Sequence, residues 1–485
     1  MKVINWSRDS RYQTLESMCD ERKAALKALA EADPYYPQFH ISPPYGLLND
    51  PNGLCQKDGE HHIFYQWTPV GAVHGLKYWY HLSTRDFITL VDHGVGIRPG
   101  DDYDSHGCYS GSALVEDDKA FLFYTGNKRD EQWQRDATQC LAVMDGKGNI
   151  EKHGVVISNE HYTEHFRDPK VWKEGDHYYM VVGAQTSELK GGIALYHSLD
   201  MKQWQHKGMI ATNYPDFGYM WECPDLFTLD GYTVLLFSPQ GVQDDDKYRF
   251  NNIYQSGYLL GDRLTKDTPE LVNHQAFAEL DSGFDFYAPQ TYEDEQGRRI
   301  LIGWIGLPEI DYPTDKNQWA HMLSIPRQLS VENGVVIQQP LSELMAMRMD
   351  AAIVSGMVTL ESPAFELEFT TSALHFELMI GNEAGDQICL SMNESEFTLD
   401  RSKMTECFAS EFGEQRFIVR TEQCQNIKLF FDCSVLEVFL NNGRNTMTAR
   451  VFIRELSFLT LSQGVVGQLF NLKKSRYVKP EGGDK

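Results

Sequence analysis

The 485-residue chain carries 44 Lys and Arg against 69 Asp and Glu, a formal net charge of −25. That balance opposes any general affinity for nucleic acid or an anionic membrane surface, so neither is expected as a partner. With 42% hydrophobic and 23% charged residues the chain is a folded protein, and at roughly 150 residues per domain it divides into two or three.

The first 34 residues hold no apolar stretch of signal-peptide length, and no run of about 18 apolar residues occurs anywhere. Nine cysteines at 19, 55, 108, 140, 223, 389, 407, 424 and 433 form no CxxC pair and no Cys/His cluster of zinc spacing. These features point to reduced thiols in a cytoplasmic protein that uses no metal and no cofactor. Residues 10–32 place Leu15, Met18, Ala25, Leu26 and Leu29 at helical spacing, which predicts one amphipathic helix ended by Asp33-Pro34. Residues 1–35 are read as an N-terminal helical extension.

Helical periodicity then nearly disappears, and a repeat takes over. Five apolar segments look alike, HIFYQW, FLFYTG, YYMVVG, VLLFSP and ILIGWI, centred on Phe64, Phe123, Met180, Leu236 and Ile302. Their spacings are 59, 57, 56 and 66 residues. Each follows a motif of a second kind: NDPNGL from Asn49, YSGSAL from Tyr109, FRDPKV from Phe166, WECPDL from Trp221 and YAPQTY from Tyr287. Such a period accommodates four short strands with turns, so residues 36–339 are expected to form a five-bladed β-propeller. Pro340–Asp350 reads as a short linker helix. Beyond it, period-two alternation in FELEFT, LHFELMI, FIVR, IKLFFD and VLEVFL predicts a β-sandwich over 351–485, with a tight hairpin at Asn442-Gly443. The expected fold is all-β, apart from the N-terminal helix.

If the second set of motifs marks the innermost strands, Asp50, Asp168 and Glu222 converge from blades one, three and four. Three carboxyls in one funnel repel one another, and burial adds to the effect, so such a site keeps one acid protonated while others ionise. Glycoside hydrolysis needs that division of labour: one carboxylate attacks the anomeric carbon and a neutral acid protonates the leaving oxygen. Local sequence makes Glu222, between Trp221 and Cys223, the better proton donor and Asp50 the better nucleophile. Arg167 is expected to hold the adjacent Asp168 ionised.

Leu47-Leu48-Asn49-Asp50-Pro51-Asn52-Gly53, Tyr109-Ser110-Gly111-Ser112, Phe166-Arg167-Asp168-Pro169 and Glu222-Cys223-Pro224 resemble the motif set of the invertase and β-fructofuranosidase family of glycoside hydrolases. The resemblance runs from about Tyr36 to the C-terminal sandwich. It implies a retaining, metal-free mechanism, with Asp50 as nucleophile, Glu222 as acid/base and Asp168 as transition-state stabiliser. It also implies that Leu47, Leu48, Asn49, Gln66, Tyr109, Ser110, Arg167 and Trp304 contribute to binding the fructosyl unit. One departure is informative: where many members carry Trp-Gly, this chain has His74-Gly75, followed by Leu76-Lys77-Tyr78-Trp79. This form is similar to the bacterial sucrose-6-phosphate hydrolase branch, which implies a phosphorylated sugar as substrate and a cationic pocket to hold it. Lys77 and His74, helped by Lys128 or Arg129, are the candidates for that pocket. An invertase or fructan-trimming enzyme without phosphate preference and an inert propeller scaffold are the alternatives, and homo-oligomer formation is left open.

Overall fold

The computed structural model describes residues 5–244, 246–420 and 426–480. Its N-terminal segment is not one helix but three pieces: Arg8–Arg11, a 3-10 turn Leu15–Ser17, and the helix Asp20–Glu31. Thr14 and Cys19, both extended, separate them. The break has a tertiary cause, because the Leu15 N–H donates to the Tyr78 hydroxyl of the first blade at 2.9 Å instead of continuing a helix. The helix Asp20–Glu31 then buries Leu26 and Ala30, four residues apart on one face, and leaves Ala25 and Leu29 in solvent.

Five antiparallel sheets follow, one per blade, with inner strands Gly46–Lys57, Cys108–Glu116, Phe166–Glu174, Met220–Leu229 and Tyr287–Glu293. The recurring apolar segments are the second strands. Their side chains alternate between neighbouring blades: Phe64 packs toward blade two, while Ile63 and Tyr65 pack with residues of blade five. Val181 likewise joins Trp221 and Leu235 of blade four, while Met180 and Val182 join Phe123 of blade two. A strand buried on both faces reads as a continuous apolar run, which is why the repeat is so visible. The ring closes where Trp319-Ala320 pairs in parallel with Gly46-Leu47 of the first inner strand.

The linker at 340–350 is a 3-10 helix, Ser342–Met347, and a strand starts directly at Arg348. Leu341, Leu344 and Met347 are all buried, and their spacing of three matches the 3-10 turn rather than the α-helical one. Two six-stranded sheets form the sandwich. Its hairpin at Asn442-Gly443 is wider than a two-residue turn: Leu440 pairs with Asn445, and Asn441, Asn442 and Gly443 all have left-handed backbones. The tail then leaves the sandwich, and Arg476–Val478 adds a parallel strand to the outer edge of blade one. Of the nine cysteines, Cys424 lies outside the described residues, and the other eight are free thiols.

Candidate active site

Each inner strand carries a β-bulge at the same place. Asn49-Asp50 face Gln66 alone, Tyr109-Ser110 face Thr125, Asp168-Pro169 face Val182, Cys223-Pro224 face Phe237, and Ala288-Pro289 face Gly303. Asp168, Cys223 and Ala288, the first residues of their bulges, have positive φ. A bulge bends its strand and re-aims side chains, and five of them turn one end of the propeller into a funnel.

Equivalent positions touch across blade boundaries. At the second bulge position, the Ser110 hydroxyl donates to Asp50 Oδ2. At the first, the Cys223 N–H donates to Asp168 Oδ2 at 2.9 Å. One residue earlier, Arg167, Glu222 and Tyr287 form a row: the guanidinium gives Glu222 Oε1 two bonds of 2.9 and 2.7 Å, and the Tyr287 hydroxyl donates to Oε2 at 2.6 Å. The three acids therefore occupy three different register positions. Asp50-Pro51 and Asp168-Pro169 look alike in sequence yet sit one residue out of phase.

The three acids line one cavity of about 480 Å³. Burial raises Asp168 to about 7, with the Arg167 charge opposing the rise and Glu222 and Asp50 adding to it. Burial also raises Asp50, against the Ser110 hydrogen bond and with help from the Glu222 charge. Arg167 thus does not hold Asp168 in the ordinary carboxylate range, because its fork is directed at Glu222. The Cys223 thiol lies 3.6 Å from Asp50 Oδ2 and from Asp168 Oδ2, a weak donor to both. Among the described residues Asp50 Oδ1 meets only the Asn49 amide, at 3.3 Å, and is the less encumbered oxygen.

Asn49, Gln66, Tyr109, Arg167 and Trp304 line the same cavity, and Ser110 reaches it through its bond to Asp50. Leu47 and Leu48 do not: both are buried away from the lining. Lys77 and His74 line the cavity but are turned inward. The Lys77 ammonium donates to Asn49 Oδ1 at 2.6 Å and to His74 Nδ1 at 3.0 Å. Burial lowers Lys77 to about 7, against the Asp50 charge, and holds His74 well below its ordinary value, so that imidazole is neutral. Lys128 and Arg129 lie outside the lining. Lys128 is paired with Asp102 at 2.8 Å, and Arg129 donates to the Trp133 carbonyl at 2.8 Å.

Besides Gln240 and Pro308, two groups of lining residues were not evident from sequence. Tyr287 was visible as the fifth repeat motif, and aligning the motifs on the residue before the bulge puts it in the row with Arg167 and Glu222. Trp6, Arg8, Arg11 and Tyr12 come from the N-terminal segment, and Trp133 and Arg135 from a hairpin of blade two. Nothing local to those stretches marks them as part of the site.

A model of the N-terminal domain of glycosyl hydrolases family 32 matches residues 40–340, and a model of the family's C-terminal region matches 339–469. A sucrose-6-phosphate hydrolase of Vibrio alginolyticus is 55% identical, over 96% of this chain and 97% of that protein. One from Bacillus subtilis is 42% identical over 91% and 94%. The solved structure of a Lactobacillus gasseri sucrose-6-phosphate hydrolase superimposes with a TM-score of 0.92, at 33% identity over 97% of this chain and all of that one. A Bombyx mori β-fructofuranosidase gives 0.83 at 30% identity, over 96% and 100%. Matched across both the propeller and the sandwich, the chain belongs to family 32 of the glycosyl hydrolases.

Proposed function

We propose that the protein hydrolyses the β-fructofuranosyl bond of sucrose 6-phosphate, and of sucrose, with retention of configuration. The observation that carries this reading is the convergence of Asp50, Asp168 and Glu222 on one cavity. In the first step Asp50 Oδ1 attacks the anomeric carbon of the fructosyl unit. The bond to the glucosyl oxygen breaks as Glu222 gives that oxygen a proton. In the second step a water loses its proton to Glu222 and attacks the fructosyl–Asp50 ester, and fructose leaves. Asp168 accepts hydrogen bonds from fructosyl hydroxyls, and its Oδ1, opposite the Oδ2 that takes the Cys223 N–H, is the oxygen for that role.

The raised positions of Asp50 and Asp168 mean that the carboxyl cluster keeps a proton near neutral pH. Sugar hydroxyls donating to Asp168 favour its ionised form. Lys77 acts as a positioning residue that holds Asn49 beside the nucleophile. We place the reaction in the cytoplasm, where reduced thiols persist and a charged sugar phosphate stays enclosed.

The test is kcat/KM on sucrose 6-phosphate and on sucrose, read as released fructose. Hydrolysis of both, with the phosphorylated sugar preferred, is expected; hydrolysis of neither overturns the reading.

Asp168 binds its proton up to about pH 7 in the fold, but an unfolded Asp loses it near pH 4. The folded state therefore holds more protons across that window, and stability falls as pH rises through it. Asp168→Asn removes the dependence while keeping an oxygen to accept the Cys223 N–H. Its Tm at pH 8 should rise by roughly 1–4 °C as turnover is lost. A lower Tm at pH 8 would contradict the burial argument.

A further inference from the structure

The cavity's rim carries a cluster of cations that the reaction at its base does not use. Arg8 and Arg11, both exposed, and the half-buried Arg135 line it. Among the described residues no carboxylate pairs with any of the three guanidiniums. Arg98, Arg298, Arg299 and Arg348, by contrast, each pair with Glu or Asp. Glu164 meets Arg135 only at its backbone N–H, at 3.1 Å. The Arg135 Nε atom is buried without a partner.

Two of the guanidiniums lie over aromatic rings, and Arg11 is anchored through its backbone. Arg8 stacks on Trp133 at 4.0 Å, and Arg135 lies over Tyr109 at 5.5 Å. Tyr12 packs edge-on against Trp133, with ring centroids 5.2 Å apart. The Arg11 carbonyl accepts the Leu76 N–H at 3.0 Å, and the approach is so close that a Cβ on Gly75 would lie 2.1 Å from that oxygen. Gly75 is thus the residue that lets the N-terminal segment dock beside the cavity. Guanidiniums without a carboxylate partner, two of them stacked on rings, are suited to a doubly charged oxyanion, which they bind through forked hydrogen bonds.

We propose that Arg8, Arg11 and Arg135 form the subsite for the phosphoryl group on the leaving-group sugar, so that the segment preceding the propeller is part of the active site. The inference rests on the proposed hydrolysis of sucrose 6-phosphate. It assigns the phosphate to the rim, away from the three carboxyls, and leaves Lys77 and His74 to the fructosyl end. A dianion held there is also kept from the negative cluster that would repel it.

The test compares wild type, Arg11→Gln, Arg135→Gln and the double variant on sucrose 6-phosphate and sucrose, with glucose 6-phosphate and glucose as product inhibitors. Each single change should cut kcat/KM for the phosphorylated sugar about tenfold or more, mainly through KM, and that for sucrose by less than about threefold. Glucose 6-phosphate should lose its advantage over glucose as an inhibitor in the double variant. Arg11→Lys should recover part of the loss, since it restores charge without the fork. Parallel losses on both sugars would make the arginines structural, and no loss on either would move the phosphate elsewhere. A wild type that treats both sugars and both inhibitors alike has no phosphate subsite, though its fructosidase chemistry stands. A wild type that cleaves neither removes the subsite along with the reading beneath it.

Discussion

Asp50→Asn should lower kcat on sucrose 6-phosphate by on the order of 10⁴-fold or more, while the protein stays folded and still binds sugar. The amide is nearly isosteric and its oxygen keeps the bonds from Ser110 and Gln66, so the funnel's geometry survives. On the proposed mechanism, what disappears is the electron pair that forms the fructosyl ester. Because the substitution removes a carboxyl whose charge is disfavoured by burial, stability should hold or rise. Fructose release and calorimetric titration with sucrose 6-phosphate separate the two effects. Retention of more than about a hundredth of wild-type turnover would take the nucleophile's role from Asp50.

The largest loss of stability is expected far from the cavity, where propeller meets sandwich. Arg327 of blade five is wholly buried and bonds Glu437 of the sandwich through two nitrogens, with Gln338 at 2.9 Å and Thr448 at 3.0 Å. Glu437 also takes His40 Nε2 at 2.9 Å, and His40 Nδ1 lies 2.9 Å from Asp432. Arg327→Met fills the space but takes the guanidinium from Glu437, leaving two buried carboxylates, Asp432 and Glu437, to share the one His40 cation, so it should cost about 3–5 kcal/mol. The same network predicts alkaline sensitivity. Burial alone would lower His40, but Asp432 and Glu437 outweigh it and raise the imidazole to about 9. Its contribution is complete below the unfolded value near 6.5 and is lost as pH rises through 9, a swing on the order of 3 kcal/mol. Urea midpoints at pH 6.5 and 9.5, for wild type and His40→Gln, measure it. The wild type should lose stability between the two, and the variant should start lower and change less. Equal slopes would remove His40 from the interface's energetics.

The architecture and the three converging acids were legible in local sequence. Propeller blades bury both faces of their second strands, so each blade must write an uninterrupted apolar run, and HIFYQW, FLFYTG, YYMVVG, VLLFSP and ILIGWI do so at a readable period. The second motifs mark the inner strands for an equally local reason: a bulge at the funnel needs Pro, Gly or a polar residue tolerant of a bent backbone. Asp50, Asp168 and Glu222 were legible because they sit in those motifs.

Register was not. Whether Asp50 corresponds to Asp168 or to Pro169 depends on which residue of the neighbouring strand each one faces, and that pairing leaves no mark on the inner strand itself. The same one-residue phase sends Arg167 to Glu222 rather than to its sequence neighbour Asp168. Lys77, by sequence a loop cation suited to phosphate, is buried against Asn49, while Arg8 and Arg11 arrive at the rim from before the first blade. The tail strand Arg476–Val478 returns to blade one from the far end of the chain. Local propensity fixes what a segment can become. Where it docks is set by partners hundreds of residues away, and only the closed tertiary structure brings those together.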